Sequence, residues 1–156
     1  MPNKQLKLTF RGGTVERLRQ LHSFELWDVL PAAGRAWSVF VHALGPPLRR
    51  LDLNLTAFAA DHFHQIAKSC PQLEEVILQA SCEASHADVS HFIESAGPSL
   101  IWLQISELVV PEPVEVTASL MFESLTLYAK SIEGFQFSTG SGLDQDDLWV
   151  LADPQC

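Results

Sequence analysis

The sequence predicts an α/β solenoid, in which short parallel strands alternate with helices, and two observations support this. The first is a repeated segment of the form Leu-x-x-Leu-x-Leu that follows Gly-Pro or Cys-Pro and starts at Leu48, Leu73 and Leu100. These starts lie 25 and 27 residues apart, and a related segment begins 27 residues upstream at Leu21. The second is a helical spacing of apolar residues between the segments, so one strand and one helix recur in each unit.

Each repeated segment predicts one strand. Its last two apolar residues are two positions apart, so they point to the same side of a strand while the residues between them point to the other side. Within a unit, the positions eleven and seven residues before the first leucine predict the buried side of a helix. They hold Trp37, His62, Val89, Val41, Ile66 and Ile93. The Gly-Pro or Cys-Pro that follows is expected to end each helix, because proline cannot continue it.

We expect a single domain over residues 1–156, with an irregular strand and turn over 1–20 and five to six repeats over 21–156. The interval from Leu100 to Ile132 spans 32 residues and has two interpretations. The favoured one is a helix over 118–130 after an enlarged loop near 109–117. The other is a strand of an extra repeat at Phe122. Leu148 and Leu151 predict a further helix near the end, and the array is expected to be truncated.

Composition narrows the classes of function. Ten basic residues oppose 19 acidic ones, giving a formal charge of -9, so nucleic acid is not an expected partner. The sequence contains no apolar run of membrane-spanning length and no signal-peptide pattern, which favours a cytoplasmic or nuclear location without membrane contact. Three cysteines without a Cys-x-x-Cys pair do not predict a disulfide framework or a zinc ribbon.

The residues between the core leucines of successive strands are expected to form one polar and aromatic face, which is the candidate site for a protein partner. Tryptophan and isoleucine can anchor a partner there, while acidic residues select it by charge. The candidate binding residues are Glu25, Trp27, Arg50, Asp52, Asn54, Glu75, Ile77, Gln79, Trp102, Gln104 and Gln136.

No catalytic, metal or cofactor site is predicted elsewhere. His62 and His64 are two residues apart and point in different directions on a helix, so they do not form a metal-binding pair. His64 and His91 occupy equivalent positions in successive units and are expected to stack. Cys70 stands where other units have glycine and is interpreted as a small buried residue. Asp144 is interpreted as a helix cap.

Residues 66–78, Ile-Ala-Lys-Ser-Cys-Pro-Gln-Leu-Glu-Glu-Val-Ile-Leu, resemble the cysteine-containing repeats of F-box leucine-rich-repeat proteins, and the resemblance covers most of residues 18–156. It implies a leucine-rich-repeat solenoid with strands on the concave face and helices on the convex face. In that family the array is a substrate receptor, and a separate F-box docks the rest of a ubiquitin ligase. Binding to a ligase adaptor would therefore require an F-box outside this chain.

The expected function is non-enzymatic protein recognition, in the form of the substrate-binding part of an F-box-type ubiquitin ligase receptor. Two alternatives remain open. One is a free-standing acidic inhibitor or scaffold that binds a basic protein, which the charge of -9 favours. The other is a truncated array without an independent role.

Overall fold

The computed structural model describes residues 17–29, 35–109, 113–139 and 148–151. Within them the chain is α/β, with four α-helices and a sheet whose first five strands are parallel. The strands are β1 Ser23–Val29, β2 Arg50–Ala59, β3 Glu75–Glu83, β4 Trp102–Val109, β5 Gly134–Thr139 and β6 Leu148–Leu151. The helices are α1 Arg35–Leu44, α2 Ala60–Ser69, α3 His86–Ala96 and α4 Val114–Tyr128.

The strands lie in the sheet in chain order, from β1 to β6. A helix connects each parallel pair, as parallel strands require a crossover, and successive helices pack against one another as α1–α2, α2–α3 and α3–α4. The helices and one face of the sheet enclose a continuous apolar core. The opposite face of β1–β5 carries the residues that lie between the core positions.

Strand pairing confirms the predicted alignment of the repeated segments. One row of paired residues runs across the sheet through Phe24, Leu51, Val76, Leu103 and Phe135. From β2 to β5 these side chains are at most 4% exposed. Burying an aliphatic side chain of this size contributes roughly 1.5 to 3 kcal/mol, so this row is a major source of stability.

The same register continues two residues later, through Leu26, Leu53, Leu78, Ile105 and Phe137. Beyond it the strands are longer than the short segments predicted from the sequence. The pairing of β2 with β3 shifts between Leu55 and Phe58, and similar irregularities interrupt the next two pairs. Such an irregularity bends a strand and changes its twist, and this feature is not evident in the alternation of apolar residues.

The Gly-Pro and Cys-Pro positions form a row of small buried residues at the ends of the helices. Gly45, Cys70, Gly97 and Ala129 occupy this position in successive units, and all four are buried. A Cβ atom at Gly97 would lie 2.9 Å from the backbone carbonyl of Tyr128, at the end of the next helix. The absence of a side chain therefore allows successive helix ends to stack closely.

The favoured interpretation of residues 118–130 is confirmed, because α4 covers most of them. The enlarged loop near 109–117 is wrong in extent: Val109 ends β4, and α4 begins at Val114, directly after Pro113. Pro113 is the N-cap residue, and its carbonyl accepts hydrogen bonds from the backbone N–H groups of Val116 and Thr117 at 3.1 and 3.0 Å, so the helix starts earlier than the apolar spacing alone indicates.

The predicted helix through Leu148 and Leu151 is also wrong, because Leu148–Leu151 is strand β6 and pairs antiparallel with β5. A short apolar run fits a strand as well as a helix, and here it supplies backbone partners to the edge of β5. The predicted N-terminal strand over 6–10, within the irregular segment 1–20, and the proposed cap at Asp144 lie outside the described residues. Across the described ranges, no helix has the length and apolar character needed to cross a membrane.

Helix α3 starts with a reciprocal pair of caps. The Ser85 hydroxyl accepts a hydrogen bond from the backbone N–H of Asp88 at 3.3 Å, while the Asp88 carboxylate accepts from the backbone N–H of Ser85 at 2.9 Å. The carboxylate also accepts from the Ser85 hydroxyl at 2.6 Å, and this hydrogen bond is the main reason that the pKa of Asp88 is lowered. The pair satisfies N–H groups that a helix start leaves without partners.

Replacing Ser85 by alanine should lower the free energy of unfolding by about 1 kcal/mol at neutral pH, because it removes a cap. Because the pKa of folded Asp88 is lowered, its stabilising contribution is present above its ordinary pKa and is lost as pH falls through the lowered value. Urea unfolding at neutral pH measures the loss. Ser95→Ala, an exposed change in the same helix, is the control, and equal stability of Ser85→Ala and the parent would contradict the capping role.

Candidate functional site

The face of β1–β5 that points away from the helices is the candidate site, and we call it the open face. Its described side chains come from alternate positions of each strand, and strand pairing places them in rows. They are Ser23 and Glu25; Arg50, Asp52 and Asn54; Glu75, Ile77 and Gln79; Trp102, Gln104 and Ser106; and Gly134, Gln136 and Ser138. Trp27 pairs with Asn54 in this register, but its side chain is outside the description.

Charged side chains concentrate on the β1–β3 part of the open face. The Arg50 guanidinium donates to Glu75 Oε2 at 2.6 Å, across one strand pair. It lies farther from Asp52, with 3.9 Å between Nη2 and Oδ2. Glu25 of β1, on the edge of β2 opposite to β3, is the register partner of Asp52. In this part of the open face, the described residues thus include three carboxylates and one cation, and the cation forms its short ion pair with Glu75.

Asp52 differs from its neighbours in being buried. Only 9% of its side chain is exposed, against 40% for Arg50 and 43% for Glu75. Burial raises the pKa of Asp52, the negative charge of Glu25 raises it further, and Arg50 lowers it. The aspartate side chain is shorter than those of the arginine, glutamate and isoleucine around it. Its carboxyl group therefore lies close to the backbone of the sheet, below the ends of these side chains.

The β4–β5 part of the open face is aromatic and uncharged. The Trp102 ring lies directly over Gly134, its partner in the register, and a Cβ atom at Gly134 would overlap the six-membered ring. Gln104 and Gln136 follow in the next row, and all three larger side chains are partly exposed. The glycine therefore provides the space in which the tryptophan lies flat against the sheet.

A polar pair lies within the β1–β3 part of the open face. Asn54 donates its side-chain N–H to Gln79 Oε1 at 3.2 Å, and the half-buried Ile77 precedes Gln79 on the same side of β3. The open face thus runs from carboxylates through an aliphatic residue to an aromatic ring. A surface that combines charged, aliphatic and aromatic side chains in this way suits a partner with complementary charge and an apolar contact.

The register brings together the described candidate residues that the sequence predicts, from Glu25 to Gln136. Two properties are not visible in the sequence: the burial of Asp52 and the space that Gly134 leaves for Trp102. A glycine on a strand weakly indicates that another group approaches the backbone closely, so Gly134 could have indicated the space for Trp102. The depth of Asp52 depends on the side chains of three strands and carries no local signal.

Five of the six histidines lie on helices α1–α3, and His22 directly precedes β1. His62 accepts a hydrogen bond from the backbone N–H of Ala59 at 3.0 Å, and its ring centroid lies 4.8 Å from that of Trp37. Burial lowers the pKa of His62, with Asp61 opposing the shift. His62 therefore packs against Trp37, but it is only half-buried, so its interpretation as a core residue holds only in part.

His64 and His91 are neighbours, as the repeat predicts, with ring centroids 4.9 Å apart, but the rings are tilted by 48° to each other and do not stack in parallel. His64 Nε2 also lies 3.3 Å from Asp88 Oδ1. Among the described residues, no group of three or more His, Cys, Asp or Glu side chains is arranged to hold a metal ion.

Cys70 is fully buried at the end of α2, as its place in the repeat predicts. Burial raises the pKa of the Cys70 thiol to about 12, against a weaker opposing effect of the Gly45 backbone. The thiol is therefore protonated at neutral pH. Because the thiolate is the nucleophilic form, Cys70 is not an activated nucleophile.

A second surface with apolar character lies along α4. Val116, Phe122 and Leu127 are 47%, 52% and 55% exposed. In the preceding helix pair, Phe63 of α2 contacts Phe92 of α3 with ring centroids 5.6 Å apart. Phe122 occupies the place of Phe63 in its own unit, counted back from Ile132. Phe122 is therefore an exposed aromatic ring on the helical side of the sheet.

Comparison of the chain with family models, curated proteins and solved structures finds no match. Identification as a leucine-rich-repeat protein therefore stays a prediction from the sequence pattern.

Asp52→Asn should raise the free energy of unfolding at neutral pH, because it replaces a desolvated negative charge by a neutral group of the same shape. The sign follows from the raised pKa of folded Asp52. Its favourable contribution is present below the ordinary value of 3.8 and is lost as pH rises through the raised value. The gain in Asp52→Asn should therefore shrink as pH is lowered towards 4.

Urea unfolding of the parent and the variant between pH 4 and 8 measures this effect. Asp61→Asn makes the same chemical change at an exposed position on α2 and is the control. A variant less stable than the parent at neutral pH would show that the Asp52 charge is stabilising and would contradict the assigned cause.

Proposed function

We propose that this chain is a leucine-rich-repeat solenoid that recognises another protein through the open face and performs no chemistry. The observation that supports this is the composition of that face: carboxylates, Ile77 and Trp102 lie side by side on one accessible surface. Interfaces commonly combine a buried aromatic anchor with charges that select the partner. An array of such strands gives an extended surface of the kind that repeat proteins use for binding.

Within this proposal, the chain is the substrate-binding part of an F-box-type ubiquitin ligase receptor. The support is the resemblance of residues 66–78 to the cysteine-containing repeats, together with the regular register of the strands. The test is co-purification of adaptor subunits with the longest product of the locus. Failure to recover an adaptor with that product would remove the ligase role and leave protein recognition intact.

A second candidate is a free-standing acidic module that binds a basic protein. The surplus of carboxylates over cations on β1–β3 favours it, as does the formal charge of -9. The two candidates differ in salt dependence, because attraction between exposed charges is screened at higher ionic strength. Affinity that is unchanged between low and physiological salt would exclude the electrostatic module.

Trp102→Ala should weaken partner binding about tenfold or more, because an aromatic anchor near the centre of an interface carries a large share of the binding energy. A photo-crosslinking residue at Gln104 identifies the partner, and titration of that partner gives the affinity. Thermal unfolding should change little, since the ring lies on the face away from the core.

Phe122→Ala is the matched control, since it removes an exposed aromatic ring from the helical side. Retained binding in Trp102→Ala with lost binding in Phe122→Ala would place the partner on α4 and overturn the proposal. Unfolding of Trp102→Ala would show that Trp102 belongs to the core and that the binding assignment is wrong.

A further inference from the structure

Two cavities adjoin on the outer side of helix α1. One, of about 380 Å³, lies between α1 and α2, and the other, of about 300 Å³, lies between α1 and the turn over 17–20. Ser38 and His42 line both cavities, so together they form one groove, which we call the α1 groove. Because Ser38 and His42 are exposed, the groove is open to solvent. Its other described polar residues are Arg19, Gln65, Lys68 and Ser69.

The repeat explains why the α1 groove is open. In successive units, the residue ten positions before the first leucine lies opposite the residue eight positions before the next first leucine. Between α2 and α3 these residues are Phe63 and Phe92, both fully buried, with ring centroids 5.6 Å apart. Between α1 and α2 they are Ser38 and Gln65, which line the cavity. A serine and a glutamine thus stand where two aromatic rings fill the corresponding space.

The α1 groove is basic in a chain whose formal charge is -9. Arg19 and Lys68 line it and are exposed, and neither side chain forms an ion pair in the part of the chain that the structure describes. By contrast, Arg49 pairs with Glu74 at 3.5 Å. No acidic residue is among the described residues that line the two cavities. Two cations therefore line the groove without a negative counterpart.

The groove between α3 and α4 has the same origin but a different charge. Ser90 and Ser124 hold the corresponding positions there, and the Ser124 hydroxyl donates to Ser90 Oγ at 2.9 Å. Glu94 and Glu123 line that cavity, and its described lining includes no lysine or arginine. A negatively charged ligand would therefore be repelled there, so the α3–α4 groove is an internal reference for the α1 groove.

We propose that the α1 groove binds an acidic peptide segment of a protein partner, on a second surface that is separate from the open face. Carboxylates of the segment pair with Arg19 and Lys68. The Ser38 hydroxyl, which borders both cavities, donates a hydrogen bond to the segment, and an apolar residue of the segment contacts Val39, which is 46% exposed. Complementary charge of this kind selects the partner and accelerates association.

A peptide fits the α1 groove better than a nucleic acid or an anionic membrane does. Those polyanions need a dense patch of cations, whereas here one arginine and one lysine stand in separate cavities of a chain with a formal charge of -9. A short segment with a few carboxylates meets both cations and places an apolar side chain between them.

The test uses the full chain and the N-acetylated, C-terminally amidated peptide Asp-Asp-Leu-Asp-Asp, with Asn-Asn-Leu-Asn-Asn as its uncharged counterpart, at constant ionic strength. The readout is the set of backbone amide resonances. The acidic peptide should shift the resonances of residues 17–20, of α1 and of the second half of α2 with saturation, and the asparagine peptide should not. The resonances of the α3–α4 groove should stay unchanged.

Lys68→Glu and Arg19→Glu should each weaken binding about tenfold or more, because each replaces a favourable charge by a repulsive one. Ser38→Phe should weaken binding to a similar extent without a change of charge, since an aromatic ring fills the groove. Lys130→Glu, the same change at an exposed lysine beside the end of α4, is the control and should bind as the parent does. All four positions are exposed, and thermal unfolding checks that each variant is folded.

Undiminished binding in Lys68→Glu and Arg19→Glu, or an equal loss in Lys130→Glu, would overturn the proposal as general attraction between charges. Undiminished binding in Ser38→Phe would show that the peptide does not enter the groove and would overturn the assigned site. Saturation of the same resonances by inorganic phosphate or a single-stranded oligonucleotide, at lower concentration than the peptide, would overturn it in favour of that ligand. Trp102→Ala should leave peptide binding unchanged, and a loss in that variant would place the peptide on the open face instead.

Discussion

The in-register pairing of core residues across β1–β5 is the constraint on which the structure depends. A strand directs alternate side chains to opposite sides, so a shift of one residue would turn every core side chain away from the helices. Phe24, Leu51, Val76, Leu103 and Phe135 align without such a shift. The same alignment fixes the other face, because the residues between them must then lie side by side away from the helices.

The position of the Asp52 carboxylate on the open face is unfavourable for stability. A carboxylate at the floor of the sheet, beside Glu25 and only partly compensated by Arg50, is an unfavourable arrangement in the isolated chain. The position of the Trp102 ring over Gly134 depends on the space left by the missing glycine side chain, and not on charge.

The sequence predicts the strand positions, the helices α1–α4 and the rows of the open face, because each depends on local periodicity and on the recurring proline. The prediction fails where both a helical and a strand spacing of apolar residues fit the same segment. The apolar run Leu148–Leu151 suits a helix and a strand equally, and its pairing with the edge of β5 decides the outcome. The start of α4 depends on Pro113, which the apolar spacing ignores.

The candidate site, too, could be predicted from the sequence only in part. Membership of the open face follows from alternation along each strand, so Glu75, Ile77 and Gln104 could be placed in advance. The burial of Asp52 could not, because it arises from the lengths of side chains on neighbouring strands and from the direction that Arg50 takes towards Glu75. Such properties depend on three dimensions and leave no pattern in one segment of sequence.

The strictly sequential strand order also bears on how the chain folds. Paired positions such as Ser23 and Arg50, Arg50 and Glu75, or Glu75 and Trp102 are separated by one strand–helix unit of nearly constant length. The loop-closure entropy for adding a strand is therefore about the same at every step and does not grow with the length already folded. A nucleus formed by any two neighbouring units can extend in either direction, so the folding rate should follow the closure of one unit more than the size of the domain.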